Sequence, residues 1–137
     1  MNTWTSLSNE IEAAVEKAAP SIVQVHGRRR MTAGVVIGDN LIATPAAADD
    51  DKVAVLTGEN QAVEAAVLGR LGGMGLTIAR VDGLNRPALA VAPEPKPGHL
   101  AVAIGRTWSG GVMAALAPVA VVGGPLRTGR SGSIDRV

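Results

Sequence analysis

Thr32-Ala33-Gly34-Val35-Val36-Ile37-Gly38-Asp39-Asn40-Leu41-Ile42-Ala43-Thr44-Pro45-Ala46-Ala47-Ala48 consists of two short apolar runs separated by Gly38-Asp39-Asn40, followed by a run of small residues. Gly, Asp and Asn tolerate the backbone angles of a tight turn, so the stretch reads as a β-hairpin. Outward from this hairpin the same grammar continues. Short β-branched segments punctuated by Gly, Asn, Asp or Pro predict strands near 21–27, 31–38, 41–44, 52–57, 62–70, 76–81 and 100–105, with another pair between 111 and 122. Leu56-Thr57-Gly58-Glu59-Asn60-Gln61 supplies a second hairpin turn. Strands at this spacing suit a small closed antiparallel barrel, which leaves no sheet edge exposed.

Before the sheet, Asn9 stands three residues ahead of Glu12, a capping-box spacing, and Leu7, Ile11, Ala14, Val15 and Ala18 recur at helical spacing until Pro20 ends the pattern. The expectation is an all-β domain with a short N-terminal helix: residues 1–20 helical, 21–122 barrel and 123–137 a polar, glycine-rich, linker-like tail. Pro93, Pro95 and Pro97 make 92–98 an extended surface connector.

The chain has 137 residues, one domain's length, with 47% hydrophobic residues, no Phe or Tyr and only Trp4 and Trp108 as aromatics. Its core must therefore be assembled from Val, Ile, Leu and Ala, and stability depends on many small contacts. The formal net charge of +1 creates no field that implies nucleic acid or an acidic membrane as partner. No cysteine is present, so disulfide and thiolate chemistry are excluded. The N-terminal residues lack a basic region followed by an apolar run, and no apolar stretch is long enough to span a bilayer as a helix; the chain as written reads as cytoplasmic.

Three stretches carry a resemblance. Gly34-Val35-Val36-Ile37-Gly38-Asp39-Asn40-Leu41-Ile42-Ala43-Thr44 resembles the Gly-x-x-Ile-Gly-x-x-x-Ile-x-Thr hairpin of trypsin-like serine proteases of the HtrA/Deg type, which leads into a short Ala-His element. Val67-Leu68-Gly69-Arg70-Leu71-Gly72-Gly73-Met74-Gly75-Leu76-Thr77-Ile78-Ala79-Arg80-Val81 resembles their Val-x-Gly-x-Asp followed by Asp-Leu-Ala-Val-Leu-x-Val. Leu100-Ala101-Val102-Ala103-Ile104-Gly105-Arg106 is similar to their Val-x-Ala-Ile-Gly strand. Order and spacing agree over roughly residues 10 to 136. The resemblance implies the N-terminal barrel of a two-barrel protease, with Ala47 at the place of the catalytic histidine and Gly75 at the place of the orienting aspartate. Relatives of this type often work outside the cytoplasm.

Peptide hydrolysis on such a fold needs a hydroxyl nucleophile, an imidazole, a carboxylate and backbone donors for the oxyanion. Ala47 has no side chain that accepts a proton, and Gly75 has nothing with which to orient an imidazole. The serine would lie beyond Val137. Val121-Val122-Gly123-Gly124-Pro125-Leu126 resembles a nucleophile motif, but Val122 occupies the serine place and the string follows Ala103-Ile104-Gly105 too closely. The expectation is a chain without catalysis as written, with no cofactor and no metal, that contacts a partner: a second copy or a complementary second barrel covering the apolar face implied by the family. The competing reading is the N-terminal part of an HtrA/Deg-type endopeptidase, which a Gly-Asn-Ser-Gly-Gly downstream of Val137 in the gene would favour.

The remaining polar features have plainer readings. His26 and His99 are strand-end histidines with no adjacent serine or carboxylate in sequence. Arg28-Arg29-Arg30 lacks neighbouring aromatics for stacking on bases and reads as a solvated hairpin tip. Asp49-Asp50-Asp51 lacks the loop-spaced oxygen ligands of a calcium site. Gly72-Gly73-Met74-Gly75 lacks the lysine and helix of a phosphate loop and reads as a turn.

Overall fold

The computed structural model describes residues 2–27, 30–45, 52–58, 61–123, 126–128 and 132–134. Helix α1 runs over Thr3–Ala18 and begins earlier than the Asn9 spacing predicts. Its cap is Asn2, whose Oδ1 accepts hydrogen bonds from the Thr5 backbone N–H at 2.8 Å and from the Thr5 hydroxyl at 2.9 Å. Asn2 therefore satisfies a donor that the first turn would leave orphaned, and nothing between Thr3 and Ser8 breaks a helix, so Asn9 falls in the interior. No α1 residue is buried. A single 3-10 turn, Ala19–Ser21, carries Pro20 and delivers the chain to the sheet.

Six strands follow: β1 (Ile22–His26), β2 (Met31–Gly38), β3 (Leu41–Thr44), β4 (Lys52–Gly58), β5 (Gln61–Leu71) and β6 (Leu76–Arg80). They close an antiparallel barrel in the order β1-β2-β3-β6-β5-β4. The seam is β1 against β4, with Gln24 opposite Leu56, Val25 opposite Val55 and His26 opposite Ala54. Ladder registers slip between Val36 and Gly38, between Leu56 and Gly58, and between Val67 and Gly69. Each slip ends on a glycine, the residue that accommodates the sharp bending of a bulged strand at a barrel corner.

Val23, Val25, Val36, Ile42, Val53, Val55, Ala65, Ala79, Val81 and Leu84 fill the interior, so the core is aliphatic as the composition requires. At roughly 1.5–3 kcal/mol for each large aliphatic side chain fully buried, these residues supply the main drive to fold. Asn40 closes the β2–β3 turn in the left-handed region, φ 57°. Its carbonyl accepts from Val81 N–H at 2.8 Å and its Oδ1 accepts from Leu84 N–H at 3.2 Å, which positions Leu84 to seal the barrel floor. Backbone hydrogen bonding from Leu89 N–H to Val36 O at 2.9 Å ties the following connector to β2.

Strands β7 (Leu100–Arg106) and β8 (Val112–Pro118) pair only with each other, from Leu100 opposite Pro118 to Arg106 opposite Val112. The pair expected between 111 and 122 is thus one strand. Within the tail, β9 (Leu126–Thr128) pairs with β10 (Gly132–Ile134). Arg106 helps fasten the β7–β8 hairpin to β1 and to the turn before it, donating from Nε to Ile22 O at 3.0 Å and from Nη2 to Ala19 O at 2.6 Å. Trp108 O, at the hairpin turn, accepts from the buried Gln24 carboxamide at 3.3 Å. This cover explains why β1 is buried at four successive positions, on both its faces, when only Val23 and Val25 join the core cluster. No helix among the described residues is long and apolar enough to cross a membrane.

Candidate active-site rim

The register of β3 against β6 places Thr44 opposite Thr77. The chain leaves β3 at Thr44 and enters β6 at Leu76, so the segment after Thr44 and the turn before Leu76 emerge at the same rim of the barrel. Gly75 belongs to the turn before β6, and Thr44 and Thr77, 33 positions apart in the chain (77 − 44), are brought together by the barrel's closure. Thr44 and Thr77 are both buried, and the Thr44 hydroxyl donates to Ala33 O at 3.2 Å, so the strand ends beneath the rim are held firmly. The ends of β1 and the start of β2 reach the same rim, where His26 pairs with Met31.

Gly75 closes the β5–β6 turn with φ 65°, exposed, and a Cβ built on it meets nothing within 4 Å. The turn is secured by Met74 N–H to Leu71 O at 3.0 Å and Gly75 N–H to Gly72 O at 3.4 Å. Gly72-Gly73-Met74-Gly75 is thus the turn that its composition predicts. Ala47 lies outside the described residues, as do Arg28, Arg29 and Asp49-Asp50-Asp51. Of the arginine run, Arg30 is described and exposed.

His26 shares the rim and is exposed, with its Nε2 at 3.5 Å from Gln24 Nε2. His99 lies elsewhere, at the base of the β7–β8 hairpin, where its Nδ1 accepts from Lys96 N–H at 3.1 Å. That geometry gives His99 a structural part, and no carboxylate or hydroxyl contact to either ring is found among the described residues. Nor do the described residues contain a group of three or more His, Asp or Glu arranged to hold a metal ion. A groove of about 460 Å³ borders the rim, between Met31, Thr32 and Pro45 on the barrel and Gly105 and Met113 on the hairpin.

Sequence reading passed over Arg86 and Arg106, which meet in a separate cleft at the start of β1. Nothing in their spacing joins them: Arg86 reaches across the barrel seam to Thr57 O at 2.7 Å, and only the fold brings the hairpin's Arg106 alongside.

A closed barrel with this strand order, with a hairpin and a tight turn converging on one rim, is a trypsin-like barrel. No family model matches the sequence and no curated protein matches it; the likeness is carried by solved structures. An inactive serine-to-alanine form of Rv3671c from M. tuberculosis superposes with a TM-score of 0.71 at 26% identity over 89% of this chain. The serine endoprotease from Yersinia pestis gives a TM-score of 0.70 at 25% identity over 80% of it. The HtrA-type protease AlgW, at 18% identity and a TM-score of 0.69 over 86% of this chain, shares the fold. The structural neighbours of this barrel are therefore HtrA-type serine proteases. The chain spans 62%, 44% and 41% of the lengths of these three neighbours.

Proposed function

We propose that this chain is a non-hydrolytic, protease-like barrel that acts by association, its β7–β8 sheet and catalytic-type rim being contact surface rather than machinery for peptide cleavage. The observation that supports this reading is the pairing of Thr44 with Thr77, by which the strand that precedes Ala47 in sequence ends beside the strand that follows Gly75. Those two residues offer a methyl group and a hydrogen atom where an acyl-transfer site needs a base and a carboxylate. On this kind of fold, removing any one triad member typically costs ~10⁴-fold or more in rate.

Association is supported by the hairpin. Every β8 residue is exposed, and Leu100, Val112, Met113 and Leu116 stand 54%, 42%, 56% and 44% accessible. An apolar sheet surface of this kind is characteristic of a protein contact. The partner we assign is a second copy of the chain or a complementary second barrel.

The reading is tested by incubating the chain with fluorogenic casein and with a serine-directed phosphonate probe, in parallel with light scattering over a concentration series. The expected result is neither hydrolysis nor labelling, with mass rising above that of one chain. Covalent labelling of this polypeptide would refute inactivity, and a monodisperse monomer at high concentration would refute association. A second reading, the N-terminal part of an HtrA-type serine endopeptidase, is favoured by one observation: the match leaves 38% and 56% of two solved neighbours' own lengths uncovered (100 − 62 and 100 − 44).

A further inference from the structure

Arg86 and Arg106 line one cleft of about 580 Å³ at the start of β1, its other walls including Ile22, Gln24, Leu56 and Trp108. Both guanidinium groups are half-buried there. All the hydrogen bonds found for them go to backbone carbonyls. Arg86 donates to Pro20 O at 3.3 Å and Thr57 O at 2.7 Å. Arg106 donates to Ile22 O at 3.0 Å, Ala19 O at 2.6 Å and Gly110 O at 3.2 Å.

Carbonyl oxygens orient a guanidinium without neutralising it. Among the described residues no aspartate or glutamate lines the cleft. Burial, and after it the positive charge of Arg86, pull Arg106 below the usual guanidinium range, while no carboxylate acts in the opposite direction. Two like charges are thus held in one partly dry cleft, an arrangement that repels itself unless an anion sits between them. A guanidinium carries five N–H donors in a planar fork. With two engaged on Arg86 and three on Arg106, donors remain on both, and such forks match the paired oxygens of carboxylates and phosphates. The surroundings are preorganised: Gln24 is buried and held by Trp108 O, and Arg86 and Arg106 are each anchored at two or more points on the barrel and hairpin.

We propose that this cleft is an oxyanion site, in which a carboxylate or phosphate group seats between Arg86 and Arg106. It lies toward the end of β1 away from His26, although Arg106 also lines the groove that borders the protease-like rim. Because its arginines reach the Ala19–Ser21 turn, the end of β4 and the β7–β8 hairpin together, an anion bound there draws the hairpin onto the barrel.

Trp108 lines the cleft and is 87% exposed, so its emission reports on occupancy once the other tryptophan is replaced by Trp4→Phe on α1. The full chain is titrated at constant ionic strength with inorganic phosphate, with an N-acetylated dipeptide bearing a free C-terminal carboxylate, and with the same dipeptide amidated. The expected result is a saturable change in Trp108 emission with phosphate or with the free-carboxylate peptide and none with the amide. Phosphate alone acting assigns the site to phosphates, the peptide alone to carboxylates, and either supports it. Arg86→Gln is expected to weaken binding about tenfold, the scale of one hydrogen bond to a charged group. If circular dichroism shows Arg86→Gln unfolded, Arg86→Lys makes the same comparison, since lysine keeps the charge and loses the fork. A response no different from that to chloride, or binding unchanged in the folded variant, overturns the proposal.

Discussion

Gly34 lies on β2 and packs against the core side chains of β1. A Cβ added there would stand 2.9 Å from Val25 Cγ2, 3.3 Å from Val23 Cγ2 and 3.4 Å from Ala43 O, so the Val25 side chain would have to shift and that of Val23 to give slightly. Gly38, four residues on, would meet Leu41 Cδ1 at an ordinary 3.7 Å. Gly34→Ala is therefore expected to destabilise the fold by about 1–3 kcal/mol, the usual cost of overpacking. Gly38→Ala should stay within about 0.5 kcal/mol of the parent. Urea unfolding of the two variants checks the contrast. At the rim, the residue scale decides chemistry instead. Ala47→His with Gly75→Asp supplies the two side chains that the family resemblance would put there, at a cost of roughly 1–2 kcal/mol for Asp in the left-handed conformation of position 75. On the proposed non-hydrolytic reading, the expected outcome is still no hydrolysis of fluorogenic casein, since a nucleophilic hydroxyl and oxyanion donors are needed as well. Turnover by the double variant would sink the inactive reading.

Short β-branched segments punctuated by turn residues brought most elements into view from the sequence, because strand and turn preferences are carried by the residues themselves. β2, Met31–Gly38, and β3, Leu41–Thr44, coincide with the ranges read from it. The Asn9 cap failed because two asparagines compete for the role and only backbone geometry shows that Asn2 holds Thr5. At the hairpin, apolar strands could not reveal that β7 and β8 pair only with each other, since a barrel strand and a strand of a separate sheet carry the same alternation. Arg106 helps hold them to the barrel, through Ile22 O and Ala19 O. Arg106→Met keeps the aliphatic stem and removes every donor. Hydrogen exchange of amides in β7 and β8 is expected to quicken by about tenfold or more, with β1 to β6 protected as before. Uniform loss of protection throughout the barrel would show that the hairpin is not a separate unit.

The molecule as a whole presents a well-sealed aliphatic barrel and a hairpin that covers β1 through part of β7 and leaves β8 exposed. Leu100 and Leu116 stand on one face of that hairpin, with Leu116 opposite Val102, and both are about half accessible. Leu100→Ser with Leu116→Ser is expected to shift the chain toward a monomer in light scattering and to leave the urea midpoint of the barrel nearly unchanged, since neither residue belongs to the core. Loss of the barrel transition in this variant would place the hairpin inside the folding unit and undermine its role as contact surface.

The sequence by itself determined the all-β class and the aliphatic core, because each is a property of residue type and of the local punctuation of the chain, and its resemblance to HtrA-type proteases supplied the expectation about positions 47 and 75. Only the tertiary structure decided which strands close the barrel, that Thr44 and Thr77 stand side by side beneath one rim, and that Arg86 and Arg106 share a cleft. Those relations depend on closure and register, in which residues tens of positions apart become neighbours, and no local pattern in the chain encodes such a distance.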